Sequence, residues 1–130
     1  MGKPVQVVFG QRSLNHGWQQ ANLQRDASYV QLKIKKSIRG ATSATLDVDN
    51  HGVTISHAAG WIRFWWVSGQ KDLYYQIEGG DQQLLLDGVV DSAVFNVDGA
   101  KVTVGLELMD GDCEAQLESI TTMRNYASGS

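Results

Sequence analysis

The chain has 130 residues, a single cysteine and a net charge of −3. That length can bury one core unaided, and Cys113 alone excludes an internal disulfide and a cysteine-only zinc site. No stretch approaches the roughly 20 apolar residues of a membrane span, and Val7-Val8-Phe9 is too short for a secretory signal core.

The charge is unevenly placed. Through Gly40, seven basic residues (Lys3, Arg12, Arg25, Lys33, Lys35, Lys36 and Arg39) stand against Asp26 alone, and after it four basic residues stand against thirteen acidic ones. Such asymmetry within one chain often marks an interaction surface.

Residues 1–12 read as a leader or an expression remnant, with Val5-Gln6-Val7-Val8-Phe9 either a short strand or disordered. Residues 127–130 read as a tail. From Ser13, a candidate cap, to Ala41 the apolar residues follow a helical period. Leu14, Trp18 and Ala21 open the stripe, and Leu23, Ala27, Val30, Ile34 and Ile38 continue it. Gly40 is expected to stop the helix, and the basic residues of the last turns suit its negative end.

Beyond Gly40 the period changes to two. Strands are expected at Ala44–Val48, Val53–Ser56, Trp61–Val67, Leu73–Ile77 and Gln83–Leu86, then at Ala93–Val97, Val102–Met109 and Ala115–Met123. Trp61–Val67, apolar on both faces except at Arg63, predicts a strand covered on both sides. Asp98-Gly99 is a hairpin signal. The expected fold class is α+β: one long N-terminal helix (13–41) packed on an antiparallel sheet that forms a head over 42–126.

Candidate chemistry is sparse. Asp47-x-Asp49-x-His51-Gly52 lacks the spaced ligands and distal glutamate of a calcium loop, so turn chemistry accounts for it, as for Asp110-Gly111-Asp112. Cys113 sits among acidic residues, the opposite of an activated thiol's surroundings. No nucleophile elbow or phosphate loop appears, so neither an enzyme nor any metal or cofactor is expected. The aromatic residues Trp65, Trp66, Tyr74 and Tyr75 fit core packing or a platform for a carbohydrate or peptide. Alternation makes one of Trp65 and Trp66 point away from the other's face. The run Lys33–Arg39 lacks interleaved aromatics, and the acidic remainder opposes a polyanion, so no nucleic acid is expected.

Several segments, taken in order, resemble the type IV pilin-like superfamily, most closely minor pilins of the W type and J-type pseudopilins of type II secretion. Gln20–Ala27 through Ile34–Ala41 is similar to the second half of that family's N-terminal helix. Leu84–Phe95 resembles its Leu-Leu…Gly-Val…Phe segment, and Val102–Leu108 with Ile120–Asn125 resembles its closing strand and Arg-Asn ending. The resemblance implies a structural, non-enzymatic subunit that helps initiate or cap a pilus or pseudopilus. It also implies partners among other pilins and the assembly machinery, and a place at the periplasmic face of the inner membrane or in a periplasmic or extracellular filament. A leader and a membrane-anchoring apolar helix are implied upstream of residues 9–14. Leu23, Ala27, Val30, Ile34 and Ile38 would hold helix to sheet, and Arg25, Lys33, Lys35, Lys36 and Arg39 would face neighbours or solvent. With Trp65, whose strand alternation leaves aromatic surface for a partner, they are the candidate subunit interface.

Overall fold

The computed structural model describes the backbone of residues 7–126 and the side chains of residues 18–126. Helix α1 (Val7–Arg39) is followed by β1 (Ser43–Leu46), β2 (Gly52–His57), β3 (Gly60–Val67), β4 (Asp72–Ile77), β5 (Gln83–Leu86), β6 (Val90–Asp98), β7 (Lys101–Asp110) and β8 (Cys113–Thr122). The helix is already formed at Val7, upstream of the expected cap at Ser13, so much of the segment read as a leader is helical. The readings of residues 1–6 and 127–130 lie outside the described residues.

The strands form two antiparallel sheets, one of five strands in the order β1-β2-β3-β4-β5 and one of three in the order β6-β7-β8. This corrects the expected architecture: the protein is mostly β, not an α+β fold with one helix on one sheet. The physical reason lies in the number of inward apolar residues. Val53, Ile55, Phe64, Leu73, Tyr75 and Leu86 come from the first sheet, and Phe95, Val102, Val104, Leu106, Leu108 and Leu117 from the second. One helical stripe is too narrow to cover them all, so the sheets and helix share a single core.

The sheets meet where β5 leads into β6. Gly88 N–H donates to Asp72 Oδ1 at 2.7 Å, Val90 N–H to the Lys71 carbonyl at 2.9 Å, and Met109 N–H to the Val89 carbonyl at 2.8 Å. Trp66 Nε1–H donates to the Val90 carbonyl at 3.0 Å. Asp72 is buried, and these bonds satisfy backbone groups that the change of sheet would otherwise strand. Within the second sheet both hairpins place a glycine first in a two-residue loop. Gly99 (φ 60°) and Gly111 (φ 66°) take the left-handed conformation while Ala100 and Asp112 do not, the pattern of a type II′ turn.

Helix α1 lies chiefly on β8 and touches β7. Leu23, Ala27, Val30, Ile34 and Ile38 are buried, as is Ala41. The stripe does not extend to Trp18 and Ala21, which are exposed. Leu23 follows Trp18 by five residues, a rotation of about 140° that carries Trp18 off the buried face. Two glutamines fasten the helix to β8, the outer strand of its sheet. Gln20 Nε2–H donates to the Glu114 carbonyl at 2.6 Å and Gln31 Nε2–H to the Glu118 carbonyl at 2.5 Å. Carbonyls of an edge strand are thereby withheld from another chain.

The helix end is closed by the far end of the chain. Gly40 does not adopt a left-handed conformation. Instead Arg124 N–H donates to the Arg39 carbonyl at 2.9 Å and Asn125 Nδ2–H to the Gly40 carbonyl at 3.3 Å. These tertiary bonds satisfy carbonyls that a helix terminus leaves open.

Ile34→Ala is expected to lower unfolding stability in urea by about 2–5 kcal/mol, since it empties part of a packed core. Leu32→Ala, two residues away on the exposed side, should shift it by no more than about 0.5 kcal/mol. Equal losses would contradict the burial described.

Candidate interaction surfaces

Opposite its buried stripe, α1 carries a second one. Positions 18, 22, 25, 29, 32, 36 and 39 alternate steps of four and three residues, which keeps them on one line along a helix. Trp18 is 64% exposed, Tyr29 58% and Leu32 54%. Arg25, Lys36 and Arg39 share this line and are exposed. Three large apolar side chains in one row on the solvent side of a helix are not required by the internal core. The 4-3 spacing was legible in the sequence, but the apolar count on the other face is what the helical period first brings out.

The expected interface residues do not all gather here. Arg25 lies beside Asp26 at 3.8 Å, a solvent-exposed pair. Lys33 and Lys35 are half-buried on either flank of the row. The Lys33 ammonium stands 4.4 Å from the centre of the Tyr75 ring and 5.7 Å from that of Tyr29, so its stem crosses from the helix to the first sheet. Trp65 lies elsewhere, on the outward face of the five-stranded sheet.

That outward face is organised around β3. Strand alternation turns Phe64 and Trp66 inward and Trp61, Arg63, Trp65 and Val67 outward. Phe64 meets the buried Tyr75 at a centroid distance of 5.3 Å, and Trp66 packs against the core. Outside, Trp65 is paired in register with Tyr74 and stacks on it at 5.5 Å and 18°. The Arg63 guanidinium lies 4.3 Å from the Trp65 ring centre and reaches Asp47 Oδ2 at 2.6 Å. Tyr74 Oη–H donates to Asp72 Oδ2 at 3.3 Å. A column thus runs Asp47–Arg63–Trp65–Tyr74–Asp72 across the sheet.

The strand expected to be covered on both faces is therefore covered by the core on one face only; the other is screened by its own neighbours. Gly52 makes the column possible. A Cβ there would stand 2.6 Å from Asp47 Oδ2, 2.7 Å from the Phe64 carbonyl oxygen and 2.7 Å from Trp65 Cβ. The column is also self-partnered, because Trp65 is engaged by both Tyr74 and Arg63. The four aromatics considered as one platform are split by the pleat, Trp65 and Tyr74 outward, Trp66 and Tyr75 inward.

The remaining chemistry is dispersed. Asp49 Oδ1 accepts the His51 N–H at 3.0 Å, a local turn bond, and Asp110 and Asp112 flank a hairpin glycine. Among the described residues no three His, Cys, Asp or Glu side chains gather as a metal site. A cleft of about 310 Å³ between α1 and β8 is lined by Gln24, Ala27, Ser28, Gln31, Ala115 and Gln116, none of them titratable. Among the described residues no helix is long and apolar enough to cross a membrane. Burial pushes the Cys113 thiol above its ordinary range, aided by the charges of Asp110 and Asp112. Tyr74 is pushed up by burial first and then by Asp72. No family model, curated protein or solved structure matches the chain.

Two predictions follow from these environments. Both upward shifts mean that the folded protein holds these protons more tightly than the unfolded chain. Each contribution is full below that group's ordinary pKa and is lost as pH rises from there through the raised folded value, the thiol first. Urea midpoints should therefore fall between pH 7 and pH 10, and the fall should be shallower in Cys113→Ala; an unaltered slope would contradict the assignment. Arg63→Ala should cost about 1 kcal/mol and shift the tryptophan emission, because it uncovers Trp65 and leaves Asp47 without its partner. An unchanged spectrum would show that the column does not persist in solution.

Proposed function

We propose that the protein is a structural subunit that assembles through α1, a minor pilin or pseudopilin that helps initiate or cap a type IV pilus or a type II secretion pseudopilus. The observation that carries this reading is the two-sided helix. One stripe is spent on the protein's own core, and the opposite row presents Trp18, Tyr29 and Leu32 beside Arg25, Lys36 and Arg39. A helix exposed in this way gains by packing against another subunit.

Two further features support it. The resemblance of several ordered segments, over most of residues 14–126, to the pilin-like superfamily includes the Arg124-Asn125 ending, and those residues bond the Arg39 and Gly40 carbonyls. Rod and head are thereby tied at the point where a subunit would transmit load from its helix to its displayed surface. The reading rests on the helix and on these segments, not on the overall architecture. It places the work of the protein at the periplasmic face of an inner membrane or in a filament, among other pilins, without catalysis. Carbohydrate or peptide binding by the aromatic residues is less favoured, since the exposed pair is engaged within the column.

Tyr29→Asp combined with Leu32→Asp should abolish filament or pseudopilus assembly in cells, and Lys35→Glu with Lys36→Glu should weaken it. Circular dichroism and urea midpoints should stay near those of the parent, because Tyr29, Leu32 and Lys36 are exposed. Wild-type assembly in both variants would refute the reading.

A further inference from the structure

The outward face of the three-stranded sheet has the complementary chemistry to the outward row of α1. Its cross-strand rows are Asn96–Thr103–Ile120, Val94–Gly105–Glu118 and Ser92–Glu107–Gln116, with Met109 beside Glu114 and Asp98 beside Lys101 at the ends. Val94 is 60% exposed and Ile120 57%, and Met109 is also exposed. These apolar side chains are interspersed with Glu107, Glu114, Glu118 and Asp98, against one basic residue, Lys101.

Gly105 lies at the middle of this face, on the central strand. The pairing on both sides of it is in regular register, its φ is not left-handed, and a Cβ built on it would meet nothing within 4 Å. Neither backbone conformation nor internal crowding demands a glycine. A glycine inside a strand weakens it, and one such position is a place where another backbone approaches closely.

We infer that this face receives the outward row of α1 from a second copy of the chain; the inference rests on the helix-mediated assembly proposed above and names its partner. Trp18, Tyr29 and Leu32 meet Val94, Ile120 and Met109 over the flat position at Gly105, and Arg25, Lys36 and Arg39 meet the acidic residues around them. The dimensions agree. From position 18 to 36 the row is about 27 Å long on a helix about 10–12 Å across. Three strands span about 14 Å, and a strand as long as β7 runs about 34 Å. The protein's own helix cannot make this contact. It packs on the inward residues of β8, and its outward row points away from the molecule. The contact is therefore heterologous, and successive copies add in one direction rather than closing as a two-fold dimer.

The test uses sedimentation velocity at low ionic strength on three proteins: the wild type, Tyr29→Glu/Leu32→Glu, and Gly105→Lys. The wild type should grow beyond a dimer with concentration and lose association at high salt. Each variant alone should associate at least tenfold more weakly, with unchanged circular dichroism. An equimolar mixture of the two variants should form dimers and stop there, because one supplies an intact helix row and the other an intact sheet face. A monomeric wild type, a Gly105→Lys protein that associates normally, or a mixture that stays monomeric would each overturn the inference. If the wild type is monomeric while helix-row variants still fail to assemble in cells, the subunit reading stands and only the choice of a second copy is lost.

Discussion

The burial of Leu23, Ala27, Val30, Ile34 and Ile38 against the second sheet is the contact on which the remaining geometry depends. It makes a long helix part of the core instead of an appendage. It also brings Gln20 and Gln31 to the carbonyls of β8 and sets the helix end where Arg124 and Asn125 can close it. Apolar burial supplies most of the driving force, and the polar bonds at its margins fix register and angle. Without the stripe these bonds would hold two solvent-facing elements together, each worth about 1 kcal/mol.

This arrangement has a consequence on the opposite side of the helix. A helix committed to its own head leaves its other side to solvent, and here one line on that side includes Trp18, Tyr29 and Leu32. The second sheet is likewise buried on one face and bare on the other. The bare surfaces differ in sign, basic on the helix and acidic on the sheet, following the division of charge on either side of Gly40. The five-stranded sheet handles its solvent face differently. There Asp47, Arg63, Trp65, Tyr74 and Asp72 engage one another, so large aromatic groups remain half-buried without a covering layer.

Much of the local structure was legible in the sequence. The helical period from Leu23 to Ile38, the alternation in β1, β2 and β8 and the Asp98-Gly99 turn all express constraints acting over a few residues. Other features were not legible for identifiable reasons. The helix is already formed at Val7 and runs through two glycines, Gly10 and Gly17, which propensity counts against it. Trp18 fits a loose apolar stripe at four-residue spacing, yet rotation past Leu23 carries it outward. The segment Trp61–Val67 is apolar enough to suggest a strand sandwiched between layers. In the folded protein the cation of Arg63 and the cross-strand Tyr74 do the covering instead. Cross-strand neighbours are set by register, which the segment itself does not specify.

What the sequence by itself determined is therefore the set of elements, the buried face of the helix from Leu23 to Ile38 and the split of charge between helix and head. Which sheet each strand joins, and so the mostly β two-sheet architecture, was decided only in the tertiary structure. The same holds for the closing of the helix by Arg124 and Asn125, whose partners lie 85 residues away in the case of Asn125 and Gly40. Periodicity is a property of a segment and survives in isolation. Strand partnership and layer order are chosen by which apolar faces can be buried together, a competition among all segments at once.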